Sequence, residues 1–145
     1  MNNLLEESII RIVNPDAKEE VRSTILDNLD KYNMIYQYDK NSNMKEMANQ
    51  LENLRHGMMK FYGEIEKKNH TKKTTFNILI IVKDIDEIYN TDNWWDSGDY
   101  KSLDLIKCAI GSLARLGKNV GIQIIYTTTS SDFQSELINL TTKTI

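Results

Sequence analysis

The stretch Asn77-Ile78-Leu79-Ile80-Ile81-Val82-Lys83-Asp84-Ile85-Asp86-Glu87-Ile88 decides how this chain is read. Ile78 to Val82 is an apolar run without alternation, which marks a strand covered on both faces, and it ends abruptly in charge. Further along, Leu113-Ala114-Arg115-Leu116-Gly117-Lys118-Asn119-Val120-Gly121-Ile122-Gln123-Ile124-Ile125-Tyr126-Thr127-Thr128-Thr129 reads as a helix end, a glycine stop and a second buried strand ending in hydroxyls. Buried strands with polar residues at their carboxyl ends predict an α/β domain whose site lies at those ends. Strands alternating with helices predict a mostly parallel sheet with flanking helices.

The bulk numbers narrow the class. At 145 residues the chain is expected to form a single domain with a substantial core. It is 40% hydrophobic and 27% charged, as globular domains are, and its net charge of −3 argues against a whole-surface phosphate-binding field. Cys108 is the lone cysteine and is expected to be a reduced, buried thiol on the apolar side of a helix. No apolar stretch approaches membrane-spanning length and the amino terminus lacks a signal pattern, so a soluble, cytoplasmic protein is expected.

Outward from the two strands, Leu4, Leu5, Ile9, Ile12 and Val13 suggest a short amphipathic helix over 3–13, stopped by Asn14-Pro15. Asp16 opens a second helical segment through Tyr32, with Val21, Ile25, Leu29 and Tyr32 on one face. Met34 to Tyr38 favours a short strand and Asp39 to Asn43 a turn. Met44, Met47, Leu51, Leu54, Met58, Phe61 and Ile65 step by three and four, which predicts a long helix over 44–66 lying along the sheet, capped by Asn43 with Glu46 three residues on. The lysine-bearing segment 66–75 reads as a solvated linker. A helix over 102–116 carries Leu103, Ile106, Ile110 and Leu113 and stops at Gly117; a strand over 121–127 and a short helix over 132–140 follow.

The chemistry is less complete than the scaffold. A nucleoside triphosphatase core needs a glycine-rich loop with lysine for the phosphates, an aspartate after a hydrophobic strand for magnesium with a neighbouring carboxylate to orient water, and a polar sensor on the next strand. No Gly-x-x-x-x-Gly-Lys-Ser/Thr occurs, and the chain has only 6 glycines. After Val82 the acidic position is Lys83, whose ammonium repels a metal; Asp84, Asp86 and Glu87 follow it. An alternative has those three carboxylates hold a metal, but acids leaving a strand more commonly cap the next segment, so no metal and no bound cofactor are expected. His56 and His70 lack partners at metal spacing and are expected to face solvent. Trp94-Trp95, in the acidic loop 90–99, reads either as a lid over the sheet edge or as an anchor for a protein partner.

From about Met44 to Ile145 the sequence resembles the motor domain of FtsK/SpoIIIE-type DNA translocases, a group that includes conjugation and type VII secretion ATPases. The resemblance rests on the long helix before the hydrophobic strand, on Ala114-Arg115-Leu116-Gly117 and Gly121-Ile122-Gln123, and on Thr127-Thr128-Thr129-Ser130-Ser131 at the position of the family's Ala-Thr-Gln-Arg-Pro. It implies a partial RecA-like core at 41–145, behind an amino-terminal segment over 1–40 that the pattern assigns poorly. Glu19-Glu20-Val21-Arg22 through Asp27 bears a weaker likeness to a family strand, which would make 22–27 a strand against the helical spacing.

The departures fall on the functional positions. The resemblance puts the phosphate loop before Met1 and continues past Ile145 into further strands. Lys83 stands at the metal-holding aspartate of the Walker B strand and Asp84 at the catalytic glutamate, with Asp86 and Glu87 beyond; Thr128, Thr129 and Ser130 stand at the sensor positions. The resemblance therefore implies a catalytically inactive relative that acts as a protein-interaction or accessory subunit of a DNA-translocation, conjugation or secretion system. Its partner would be a full translocase ATPase or a second copy. An ATP-binding or ATP-hydrolysing subunit with an unorthodox site, and a non-catalytic DNA-binding accessory, are the alternatives.

Overall fold

The computed structural model describes residues 9–13, 27, 29–68, 76–89, 100–129 and 135–145, the side chains of 65–68 and 100 excepted. Strands β1 (Ile9–Val13), β2 (Met34–Tyr38), β3 (Ile78–Val82), β4 (Ile122–Thr128) and β5 (Lys143–Thr144) form one sheet in the order β2-β3-β4-β1-β5. Every pairing in it is parallel. The helices are α1 (Met44–Lys68), α2 (Ile85–Tyr89), α3 (Tyr100–Leu116) and α4 (Glu136–Leu140). The expected α/β class with a mostly parallel sheet is therefore what forms.

The larger core lies on one face of the sheet. Ile78, Ile80, Val82, Ile122, Ile124 and Tyr126 meet Met47, Leu51 and Met58 of α1, and Ile106, Ile110 and Leu113 of α3. The step of three and four read from Met44 onward is this buried seam, and Leu51 is completely enclosed. Truncating Leu51 to alanine would cost about 2–5 kcal/mol. Asn43 caps α1 as expected, its Oδ1 accepting the Glu46 N–H at 3.0 Å. The opposite face carries a smaller cluster of Ile10, Ile12, Leu79 and Ile125, with Leu29 and Tyr32 packed on it.

Two expectations are corrected. Residues 9–13 are strand, not the end of a helix: a strand in the middle of a sheet is apolar on both faces, and its residues imitate one turn of helical spacing. The α-helix α3 ends at Leu116, directly before Gly117, as expected. The chain tightens into a 3-10 turn over Gly117–Val120, and Gly121, at φ 79°, makes the left-handed stop. Gly117 is needed instead for closeness, since a Cβ there would lie 2.9 Å from the Ile122 Cβ. Cys108 is exposed, not buried. At 100° per residue it lies about 200° round the helix from Ile106, away from the seam.

His56 is exposed as expected, with its Nε2 3.0 Å from Glu52. The Arg55 guanidinium beside Glu52 holds that carboxyl below the usual range. Segments 14–26, 69–75, 90–99 and 130–134 lie outside the described residues, and with them His70, most of the expected helix at 16–32 and its strand alternative at 22–27. Leu29–Lys31, at the end of that segment, form a 3-10 turn. Among the described residues no helix is long and apolar enough to cross a membrane.

Candidate functional site

The chain's path selects the site. From β2 it steps through β3 and β4 and then past β1 to β5, and the intervening helices α1, α3 and α4 all pack on the larger core. The connection from β1 to β2 runs the other way along the sheet, and its described end, Leu29 and Tyr32, packs on the opposite face. Right-handed crossovers require this split. The adjacent strands β1 and β4 therefore send their chains to opposite faces, which opens a crevice at their carboxyl ends where open α/β sheets bind ligands. Val13 ends β1 there, directly beside Thr128 of β4. The sequence after Val13 reads Asn14-Pro15-Asp16-Ala17-Lys18-Glu19-Glu20, without a glycine. The wall of this crevice on the side of β4 opposite β3 is thus β1, a strand of this chain.

The residues singled out at the ends of β3 and β4 are brought together, and they bond largely to one another. Lys83 is exposed, with its backbone N–H closing the β2–β3 ladder onto the Tyr38 carbonyl at 2.8 Å. Asp84 takes a left-handed conformation (φ 52°), which aspartate tolerates better than most residues. Its N–H donates to Thr127 Oγ1 at 2.8 Å, and its carbonyl accepts from Glu87 and Ile88, starting α2. Desolvation, then the Glu87 charge, pushes the Asp84 carboxyl above its ordinary range. Glu87 pairs with Lys40 at 3.4 Å.

Asp86 is the residue that sequence reasoning weighed too lightly. It is buried, at 8% exposure. Its carboxylate accepts the Thr129 hydroxyl at 2.5 Å and the Thr129 N–H at 3.2 Å. Two links, Asp84 to Thr127 and Asp86 to Thr129, therefore stitch the β3–α2 turn to the end of β4. Nothing in the sequence pairs residues 43 positions apart. The available hint was an acid one turn past a buried strand together with a threonine run ending the next.

Thr128 differs from its neighbours. It is fully buried, and among the described residues its hydroxyl has no hydrogen-bond partner. Among the described residues no three His, Cys, Asp or Glu side chains gather as a metal site would need. Ser130, Trp94 and Trp95 lie outside the described residues.

No family model and no curated protein matches this sequence. Among solved structures, the pCW3 conjugation coupling protein TcpA, in its monomer form with ATPγS, superposes at TM-score 0.73 with 14% identity. The match covers 97% of this chain and 48% of TcpA, so the chain spans about half the length of that protein. The fold is that of a partial RecA-like α/β core. PCH-2 of C. elegans also matches, at 12% identity and TM-score 0.44 over 98% of this chain and 35% of that one, too distantly to bear on the argument. At these identities the likeness speaks for the fold alone.

Proposed function

We propose that this chain is a non-hydrolysing FtsK/SpoIIIE-like subunit that serves a DNA-translocation, conjugation or secretion system by binding a protein partner, such as a full translocase ATPase. One observation carries the reading: the buried Asp86 carboxylate is taken up by Thr129, with both its hydroxyl and its N–H bonded there. A carboxylate that positions magnesium or an attacking water needs free lone pairs facing the nucleotide. Here the sensor-position threonine takes up part of that accepting capacity and ties Asp86 to the end of β4. Lys83 stands where the resemblance expects the metal-holding aspartate, and the sequence after β1 lacks the glycines whose backbone N–H groups cradle phosphates. These features keep the sheet's scaffold and spend its polar groups on holding strand ends together.

A second reading has support from Asp84 and Thr128. A half-buried carboxyl held above its usual range, and separately a buried hydroxyl without a described partner near the end of β4, are features found at working sites. In that reading Asp84 and Glu87 serve an unorthodox ATP site. The net charge of −3 weighs against a DNA-binding accessory.

Calorimetry with ATP and magnesium, paired with a phosphate-release assay, tests the proposal. No turnover above background is expected. Micromolar ATP binding with turnover, both lost in Asp84→Ala or Glu87→Ala, overturns it in favour of the second reading.

A further inference from the structure

We draw no further inference here: the strongest candidate, the surface patch on α1 and the end of α3 where Met59 and Leu116 stand exposed about the hydrogen bond from the Tyr62 hydroxyl to the Leu116 carbonyl, carries none because nothing in the structure shows what covers it.

Discussion

Replacing Asp86 with alanine separates a structural carboxylate from a working one. The change strips Thr129 of the acceptor for both its N–H and its hydroxyl. Hydrogen bonds to a charged group contribute about 1.5–3 kcal/mol each in sheltered positions. Thr129 itself is exposed, so water can take over part of its bonding, which moves the loss toward the lower figure. Asp86 also sits in the first turn of α2, where a negative charge contributes about 0.5 kcal/mol. Against these stands the relief of no longer burying a carboxylate. The net expectation is a loss of about 1.5–2.5 kcal/mol, read as a lower urea midpoint at unchanged slope. A cycle with Thr129→Val isolates the hydroxyl bond, because valine keeps the N–H, and its coupling should be about 1 kcal/mol. Groups retained for catalysis tend to cost stability. If Asp86→Ala is neutral or stabilising and the cycle shows no coupling, the carboxylate is not a strand tie and the reasoning behind a non-hydrolysing site collapses.

Other outcomes follow from single contacts. A Cβ at Gly111 would run into Glu136 Oε1, the tip of an exposed side chain that can swing away, whereas one at Gly117 meets the buried Ile122 Cβ at 2.9 Å. Gly111→Ala exchanges an exposed Arg115–Glu136 pair for better helix propensity and should leave stability within about 0.5 kcal/mol, while Gly117→Ala should cost about 1–3 kcal/mol in urea unfolding. Because Asp84 is held above the usual carboxylate range, the native state binds its proton more tightly than the unfolded chain does, and stability falls as pH rises through that window. Asp84→Asn, which keeps a residue tolerant of positive φ, should therefore raise the urea midpoint at neutral pH and lose that advantage below the ordinary carboxylate range. Cys108 is exposed, so a thiol reagent should label it fully in the native protein without a lag for unfolding, as followed by absorbance.

What could be read from the sequence tracks how strongly local pattern and tertiary context agree. The α1 seam and the β3 and β4 runs were legible because long periodic or continuous apolar segments leave one solution. β1 was not. In Ile9-Ile10-Arg11-Ile12-Val13 a five-residue buried strand has no alternation, and the following Asn14-Pro15 ends a strand as readily as a helix. Cys108 was misplaced by two helical positions, an error that helix geometry alone could have caught. The positions at the ends of β3 and β4 were legible as a set, but not their bonding. That Asp86 reaches Thr129, and that Asp84 offers its N–H to Thr127, follows from strand order and parallel register, which no local spacing carries.

The place of β1 changes what the departures at the site mean. Had the strand beside β4 come from elsewhere, the crevice would lack one wall. With β1 in that slot, the chain itself supplies the ends of β1, β3 and β4, and Thr128 lies buried where two of them meet. The chemistry is then a matter of residue identity at a few positions: the glycine-free stretch after Val13, Lys83, and the Asp86–Thr129 tie. These positions constrain one another. Freeing Asp86 for a metal would leave Thr129 unanchored, and removing the Lys83 charge would leave Asp84, Asp86 and Glu87 to repel one another at the start of α2. Each single change toward metal binding at these positions therefore weakens the junction that keeps β3 and β4 in register.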